Sequence, residues 1–356
     1  MLLRSLNLNH FRCFESLRLE LDSGVTLFHG KNAQGKTSIL EAICVLLRLQ
    51  SPRSSQLAEC IRFSEKAFAV GGKLDGIDSM ELRFQYRESG RKLLVDGETQ
   101  RRSEDYLRHS ALVVWMANDD LALVRGGGDG RRRFLDFMAG QLFPIYRPAL
   151  KTYEKALRSR NYLLKKDASP QWAQIDAYTK ILHAQGRIIS DCRRELVYQL
   201  QSRAADAEKK ISVSGESLEI SYESASGEND DLIATLAERR NEEFRRRQTV
   251  AGPHRDDLLL TLNGMPAAKF ASEGQQRTVA LALKLGQTQL FVDARPEPPI
   301  LLIDDVFGEL DPDRRNALMA AWPEASQKLI TTTHLDWMDE RFSDARRLSV
   351  DQASIS

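Results

Sequence analysis

The sequence predicts an α/β fold, built from mixed sheets with helices, that is interrupted by a mainly helical second domain. An apolar run with strand character, Val25–His29, leads through a glycine-rich loop into a helical pattern. A second apolar run, at 300–303, ends in two acidic residues. Between these segments, apolar residues recur at helical spacing through a long middle region. The two ends of the chain are therefore expected to form one body and the middle to form another.

The glycine-rich loop has the pattern G-x-x-x-x-G-K-T, which is typical of a phosphate-binding loop. Its candidate nucleotide-binding residues are Gly30, Lys31, Asn32, Ala33, Gln34, Gly35, Lys36, Thr37 and Ser38. The glycines let backbone N–H groups converge on one point, where the next helix N-terminus adds positive potential. Lys36 can reach the terminal phosphates, and the Thr37 hydroxyl can bind Mg²⁺. The loop alone indicates only that a nucleoside triphosphate binds.

Strands are expected around this loop. Alternating apolar residues at 2–9 and 17–21 predict edge strands that lead into the loop. Two further runs, at 80–86 and 92–95, are separated by a turn that contains glycine, and this predicts an antiparallel hairpin. The apolar run at 111–116 predicts one more strand.

The middle of the chain is expected to be helical, after a glycine-rich stretch at 126–130 that predicts a flexible break. One helix face is marked by Tyr146, Leu150, Tyr153, Leu157 and Leu164. After Pro170, four apolar residues recur at seven-residue spacing, namely Ile175, Leu182, Ile189 and Leu196. That stripe fits a coiled coil or a helical hairpin packed on itself. We favour the hairpin, because the run is far too short for the long arm of a chromosome-structuring protein.

Length and these patterns together predict the domain organisation. A chain of 356 residues can form two domains, or one domain with a large insertion. We expect the first half of the α/β body at 1–124, the helical insertion at 125–248 and the second half of the body at 249–356.

Composition fits a globular chain, with 42% apolar and 28% charged residues. The net charge of +1 gives no global basic field, so any DNA-binding surface must come from local clusters of Arg and Lys. The cysteines show no C-x-x-C spacing, which speaks against a disulfide framework or a zinc site. No run is long enough to span a bilayer, so we expect no membrane partner. The scattered cysteines and a first ten residues without an apolar core of signal-peptide length lead us to expect a reduced, cytoplasmic location.

The second apolar run supplies the acidic half of a nucleotide site. Four apolar residues precede Asp304 and Asp305, which is the Walker B pattern. We expect Asp304 to bind Mg²⁺ together with Thr37, and Asp305 to orient or activate the attacking water. A further strand, at 328–333, ends at His334, which could sense the γ-phosphate. A surface loop histidine is the alternative interpretation of His334. The catalytic candidates are thus Lys36, Asp305 and His334.

A third motif lies between these parts. Ser272, Gly274 and Gln275 form a Ser-x-Gly-Gln pattern at the start of an apolar helix, which is another arrangement suited to anions. This pattern resembles the signature motif of ABC-type ATPases, and 309–311 resembles their D-loop. In that family, the signature residues contact the γ-phosphate bound by the facing subunit. Because the chain has no second phosphate-binding loop, the resemblance implies an ATP-dependent homodimer or a partner ATPase.

The chain as a whole resembles the RecF family of bacterial ABC-type ATPases. The resemblance rests on the phosphate-binding loop and on segments that lie at 9–14, 131–136, 160–165, 252–258, 272–277 and 304–311. It implies ATP and Mg²⁺ as cofactors, a weak DNA-stimulated ATPase that acts as a switch, and an ATP-dependent homodimer. It also implies binding to double-stranded, gapped and single-stranded DNA, and action with RecR, RecO and a recombinase that is loaded onto single-stranded gaps. The segments at 115–120 and 126–130 depart from the usual family pattern.

Two arginine runs are the candidate DNA contacts. They are Arg131, Arg132 and Arg133 at the start of the helical middle, and Arg245, Arg246 and Arg247 at the end of a single charged helix that we expect at 232–247. A solvated helix face or internal ion pairs would explain the same residues. A transporter ATPase subunit and an SMC-like head remain alternatives. The first would need a coupling surface and a recognisable Q-loop, for which Gln50 is a poor candidate, and the second lacks its coiled arm here.

Overall fold

The computed structural model describes residues 1–76, 78–166, 170–212, 215–226 and 231–355. The chain forms two compact units. The first consists of Met1–Asp120 and Gln287–Ser356, and the second is the intervening segment Leu121–Gly286. Within the described ranges, no helix has both the length and the apolar character needed to cross a membrane.

The strands and helices are as follows in chain order. The strands are β1 Leu2–Leu3, β2 Ser5–Phe11, β3 Phe14–Glu20, β4 Val25–His29, β5 Ala67–Asp75, β6 Ser79–Arg87, β7 Gly90–Val95, β8 Glu98–Gln100, β9 Val113–Ala117, β10 Leu218–Glu223, β11 Asp257–Leu262, β12 Met265–Pro266, β13 Ile300–Asp304, β14 Lys328–Thr332, β15 Arg346–Asp351 and β16 Ser354–Ile355. The helices are α1 Lys36–Arg48, α2 Ser103–Arg108, α3 Ala122–Arg125, α4 Gly128–Leu142, α5 Tyr146–Lys166, α6 Trp172–Ile211, α7 Leu232–Glu238, α8 Arg240–Arg246, α9 Ala267–Phe270, α10 Glu273–Ala294 and α11 Pro312–Ala320.

The first unit contains a sheet in the order β16-β15-β4-β14-β13-β9, in which β15, β4, β14, β13 and β9 run parallel. Its central strands are apolar because both faces are covered, and Ile300 to Ile303 are fully buried. The carboxyl ends of parallel strands lie at one edge of a sheet. The phosphate-binding loop after β4, the acidic end of β13 and the residues after β14 therefore meet at that edge.

The first unit also contains an antiparallel sheet in the order β3-β2-β5-β6-β7-β8, with β1 paired to β5. The predicted hairpin is confirmed, since β6 and β7 pair from Leu82↔Val95 to Arg87↔Gly90. Of the two expected edge strands, β3 lies at the edge and β2 is paired on both sides. Alternation along β2 buries Leu6 and Leu8 against the core.

The second unit is mainly helical, and α5 packs along α6. The predicted stripe on α6 is buried, since Ile175, Leu182, Ile189 and Leu196 are all fully buried. The preferred interpretation as a helical pair packed on itself is confirmed. A small antiparallel sheet, in the order β10-β11-β12, belongs to the same unit. Because β11 pairs with β10 along its whole length, the second unit extends to Gly286 rather than ending at 248.

Two local predictions were wrong. The glycine-rich stretch at 126–130 is not a flexible break, because α4 begins at Gly128 and the Arg131 guanidinium donates to the Gly126 carbonyl oxygen at 2.7 Å. A Cβ atom at Gly128 would lie 3.1 Å from Oδ1 of Asp257, so the small residue permits close packing. The single charged helix expected at 232–247 is two helices, α7 and α8, which meet at Arg239.

Candidate functional site

The phosphate-binding loop joins β4 to α1 through residues with a left-handed backbone. The φ angle is 150° at Gly30, 64° at Ala33 and 106° at Gly35. A Cβ atom at Gly30 would lie 2.3 Å from the carbonyl oxygen of Val350, and one at Gly35 would lie 2.9 Å from Sγ of Cys13. Both glycines are thus required by the backbone conformation and by close neighbours.

Lys36 is the first residue of α1, and its side chain folds back over the loop. Its Nζ donates to the carbonyl oxygens of Gly30 at 2.6 Å and of Lys31 at 2.7 Å. Burial lowers the pKa of Lys36, and the nearby carboxylates of Asp305 and Asp304 oppose that shift. The ammonium group is therefore held at the loop by neutral acceptors, which phosphate oxygens can replace with stronger, charge-assisted hydrogen bonds.

Thr37 and Asp304 meet directly at the sheet edge. Oγ1 of Thr37 donates to Oδ1 of Asp304 at 2.7 Å, and Oγ1 of Thr331 donates to the same oxygen at 2.6 Å. Oxygen ligands from a hydroxyl and one carboxylate suit Mg²⁺, which takes its remaining ligands from phosphates and water. Thr37 and Asp304 would hold that ion. Among the described residues, no three His, Cys, Asp or Glu side chains form a metal cage.

Asp305 follows the strand with an unusual conformation. Its φ is 53°, and its backbone N–H donates to the carbonyl oxygen of Thr331 at 3.2 Å. The amide of Asn118 donates to the carbonyl oxygen of Asp305 at 2.8 Å. Oδ1 of Asp305 is buried and has no hydrogen-bond partner within the described part of the chain. Burial also raises the pKa of this carboxyl group. An acceptor without a partner beside Lys36 and Asp304 is suited to bind a water molecule.

His334 lies two residues beyond β14, with an exposed side chain. Its carbonyl oxygen accepts a hydrogen bond from Oγ1 of Thr332 at 2.7 Å, and Nε1 of Trp337 donates to the same hydroxyl at 3.0 Å. The backbone of His334 is thus fixed at the sheet edge that carries Asp304. Its role as a γ-phosphate sensor stays a prediction.

The signature residues belong to the second unit and form a capping box at the start of α10. The N–H of Ser272 donates to Oε1 of Gln275 at 2.7 Å, and the N–H of Gln275 donates to Oγ of Ser272 at 3.3 Å. Nε2 of Gln275 also donates to Glu216 at 2.8 Å. Ser272 is exposed and Gly274 is partly exposed. The sequence motif is therefore a helix cap in this structure, and its contact with a nucleotide stays a prediction.

Some arginines of the two runs form internal ion pairs and hydrogen bonds, and others are exposed to solvent. Arg131 makes a bidentate ion pair with Asp257 at 2.7 Å, and Arg132 donates to the backbone of Asp256 at 2.6 Å and pairs with Asp129. Both side chains are mostly buried, at 13% and 16% exposure. Internal ion pairing, the alternative interpretation from the sequence, thus describes these two arginines.

The remaining arginines lie nearer the surface. Arg246 pairs with Glu242 one helical turn away, and Arg247 packs over the ring of Phe244 while donating to the carbonyl oxygen of Leu164. Arg133 and Arg245 are exposed. These two are the members of the runs that remain best placed for phosphate contacts.

Sequence reasoning missed a buried polar network in the second unit. Arg160 on α5 is 1% exposed and makes a bidentate ion pair with Glu243, at 2.6 and 2.8 Å. It also donates to hydroxyls of Thr249 and Thr179, at 2.9 and 3.0 Å. The neighbouring Asn161 accepts from the backbone and hydroxyl of Thr249. The segment at 160–165 therefore contributes to the fold. Its adjacent Arg160 and Asn161 were the sequence feature from which this buried network could have been predicted.

The segment Gly252 to Asp257 belongs to a second buried network of polar side chains. Arg193 is 2% exposed; it donates to the carbonyl oxygen of Pro253 at 2.7 Å and to Asp136 at 2.6 Å. It also lies 3.7 Å from the buried carboxylate of Asp256. Nδ1 of His254 is 2.7 Å from the hydroxyl of Tyr153. Burial lowers the pKa of His254 to about 4, so the ring is neutral at physiological pH.

We expect Arg160→Met to lower the free energy of unfolding by about 3–5 kcal/mol, because it leaves the Glu243 carboxylate buried without its cation. Chemical denaturation of the variant and the wild-type protein measures the loss. The double variant Arg160→Met, Glu243→Leu should regain much of it, since an apolar pair has no buried charge. Arg158→Ala, at an exposed position of the same helix, is the matched control and should change stability by less than about 0.5 kcal/mol. Equal losses in the single and double variants would contradict this account.

Comparison with known proteins identifies the family. A family model described as an AAA domain matches residues 5–250. The curated DNA replication and repair protein RecF of Synechococcus sp. (strain JA-2-3B'a(2-13)) is 37% identical over 363 residues, covering 98% of this chain and 95% of that protein. RecF of Bacillus cereus (strain G9842) is 35% identical and covers 100% of this chain and 98% of that protein.

The fold agrees with this relationship. A solved structure of the recombination mediator protein RecF-ATPrS in the RecFOR pathway superposes with a TM-score of 0.89 at 28% identity, covering 99% of this chain and 97% of that chain. An SMC head bound to the C-winged helix domain of ScpA shares the fold more distantly, with a TM-score of 0.56 at 16% identity. The fold is the α/β head of an ABC-type ATPase, interrupted by a mainly helical part, as the sequence predicted. The chain belongs to the RecF family.

Proposed function

We propose that this protein is an ATP-dependent DNA-binding switch of recombinational repair and replication maintenance. Nucleotide binds at the phosphate-binding loop, Mg²⁺ is held by Thr37 and Asp304, and Asp305 orients the attacking water. The observation that carries the proposal is the hydrogen bond of 2.7 Å between Thr37 and Asp304, which joins the two nucleotide motifs from distant parts of the chain. The names of the relatives, which are DNA replication and repair proteins, support the role in repair.

ATP is proposed to act as the link between two copies of the chain. The loop of one subunit binds the phosphates, and the capped start of α10 in the facing subunit completes the site from the other side. Hydrolysis removes the shared ligand and releases the dimer. In this scheme, the ATP-bound dimer holds double-stranded or gapped DNA and, with RecR and RecO, promotes loading of a recombinase on single-stranded DNA.

The decisive experiment measures ATP hydrolysis without DNA and with double-stranded, single-stranded and gapped DNA. We expect a slow basal rate that rises several-fold with DNA, because the switch must reset after it has bound its site. Affinity for each DNA is measured in parallel with ATP, with ADP and without nucleotide. If no DNA stimulates hydrolysis, and if DNA affinity is the same with ATP, with ADP and without nucleotide, the results favour the alternative of an ABC-type ATPase subunit of another machine.

Ser272→Arg is expected to leave ATP binding to one subunit nearly unchanged and to block ATP-dependent dimerisation, because a long cation would occupy the place of the γ-phosphate. Sedimentation of both proteins with ATP, with ADP and without nucleotide provides the measurement. Ser202→Arg, the same substitution at an exposed position of α6, is the control and should dimerise as wild type. If the arginine variant dimerises as well as wild type, Ser272 serves only as the helix cap.

The exposed arginines provide a test of the DNA surface. Replacing Arg133 and Arg245 with Gln should weaken binding to all DNA sequences alike and flatten the salt dependence by about one unit of slope per lost phosphate contact. The control replaces Arg187, an exposed arginine on α6, in the same way. An unchanged salt slope would exclude both arginines as phosphate contacts.

A further inference from the structure

The turn between β15 and β16 contacts the phosphate-binding loop at two places. The backbone N–H of Gln352 donates to Oε1 of Gln34 at 2.6 Å, and the N–H of Ala353 donates to the carbonyl oxygen of Gln34 at 3.2 Å. At the other end of the loop, the carbonyl oxygen of Val350 lies so close to Gly30 that a Cβ atom would be only 2.3 Å away. One hairpin therefore borders both the first residue of the loop and Gln34, near its end.

The conformation of this turn is not favoured by its own sequence. Asp351 pairs with Ser354, so the hairpin loop has two residues, and φ is 45° at Gln352 and 60° at Ala353. Positive φ at both positions is the type I′ arrangement, in which Asn-Gly is preferred and side chains such as those of Gln and Ala are disfavoured. The strained turn directs both N–H groups at Gln34. The hydrogen bonds to Gln34 therefore offset the free-energy cost of positive φ at Gln352 and Ala353.

Gln34 lies between the two residues that give the loop its curvature. Ala33 precedes it and Gly35 follows it, and both have positive φ. The direction of the loop N–H groups, which would bind phosphate, depends on these backbone angles. Two hydrogen bonds to Gln34 restrict rotation at this point. A loop that is already held in its binding conformation loses less conformational entropy when the ligand binds.

We propose that Gln352 and Ala353 are positioning residues for the nucleotide: they hold Gln34 and so keep the phosphate-binding loop ready for ATP. This inference rests on the proposed function, in which that loop binds ATP. Because coupling between two sites is reciprocal, bound ATP also stabilises the turn. The alternative is that the hairpin only closes the edge of the sheet and leaves ATP affinity unaffected.

Three variants separate these alternatives. Ala353→Pro removes one N–H group and cannot adopt positive φ, and Gln34→Ala removes the side-chain acceptor. Each should weaken ATP binding roughly 3- to 10-fold, as expected for the loss of one hydrogen bond. The double substitution Gln352→Asn, Ala353→Gly keeps both N–H groups in a sequence that prefers this turn. It should bind ATP as tightly as wild type or more tightly, which is the opposite result from proline.

Isothermal titration with ATP and Mg²⁺ measures the affinities, and melting without nucleotide shows that each variant is folded. Combining Gln34→Ala with Ala353→Pro should weaken binding by less than the two single losses together, because proline cannot keep positive φ at position 353 and so also disturbs the contact between the Gln352 N–H group and Gln34. Hydrogen exchange of the Gln352 and Ala353 amides should slow when ATP is added to the wild-type protein. A wild-type chain that fails to bind ATP would refute the proposed function itself. If the wild-type protein binds ATP tightly, any of three results would overturn the inference alone. They are equal ATP affinity in Gln34→Ala and wild type, additive losses in the double variant Gln34→Ala, Ala353→Pro, and weaker ATP binding by the variant Gln352→Asn, Ala353→Gly.

Discussion

Asp305→Asn is expected to bind ATP and Mg²⁺ normally and to hydrolyse ATP at least roughly 100-fold more slowly, since general-base and water-orienting groups contribute about 10²- to 10⁴-fold. Oδ1 of Asp305 is buried without a hydrogen-bond partner among the described residues, which marks it as the acceptor available to water. Asp304, whose Oδ1 binds Thr37 and Thr331, stays in place to hold the ion. The variant should therefore accumulate as the ATP-bound dimer.

Asparagine is the informative substitution at this position because φ of Asp305 is 53°, and asparagine tolerates that region better than most residues. Its backbone hydrogen bonds with Thr331 and Asn118 can therefore persist. Single-turnover hydrolysis and light scattering measure the rate and the dimer. Asp344→Asn, at an exposed position of the same unit, is the control and should behave as wild type. A normal hydrolysis rate in Asp305→Asn would show that Asp305 has only a structural role and that another group orients the attacking water.

Lys36→Met is expected to abolish hydrolysis and to weaken ATP binding roughly 10- to 100-fold, the range expected for the loss of hydrogen bonds to charged groups. The ammonium group at Nζ already lies within 2.6 Å of the loop carbonyl of Gly30, where terminal phosphates would meet it. Methionine has nearly the same length and lacks the charge. Since burial lowers the pKa of Lys36, removing its charge relieves a desolvation cost, and we expect the melting temperature to hold or rise.

Nucleotide titration, hydrolysis and thermal melting of Lys36→Met are compared with Lys92→Met, which removes an exposed lysine from β7. The control should retain wild-type affinity and rate. Lys36→Met that still turns over ATP at a normal rate would refute the assignment of this site. A large fall in melting temperature would show that Lys36 stabilises the loop through its backbone contacts instead.

Much of the fold could be predicted because its signals are local. A strand, a loop with glycines at fixed positions and a helix follow one another within about two dozen residues, and each has its own periodicity. Thr37 and Asp304 could be paired from the sequence because the phosphate-binding loop and the Walker B pattern each supply a candidate Mg²⁺ ligand, and the structure joins the two side chains. The stripe on α6 was predictable for the same reason, because its spacing reports one buried helix face.

The wrong and incomplete predictions concern contacts between distant residues. The glycines at 126–130 suggested a flexible break, yet a helix starts there because Arg131 binds both Gly126 and Asp257. The prediction of a single helix at 232–247 was wrong because nothing in the composition of that segment marks the end of α7 at Glu238. The arginine runs looked alike in the sequence, and only the positions of their partners separate buried Arg131 from exposed Arg133.

By itself, the sequence determined the class of the fold, the family and the residue types at the nucleotide site, because motifs keep chemistry and spacing together along the chain. Only the tertiary structure decided which of the residues singled out from the sequence are exposed and which are held by internal contacts, as exposed Arg133 and ion-paired Arg131 show. Gln34 and Gln352 are 318 positions apart, and no local pattern connects them. Folding brings such residues together through burial and backbone pairing across the whole chain, so their contacts depend on packing that no short segment specifies.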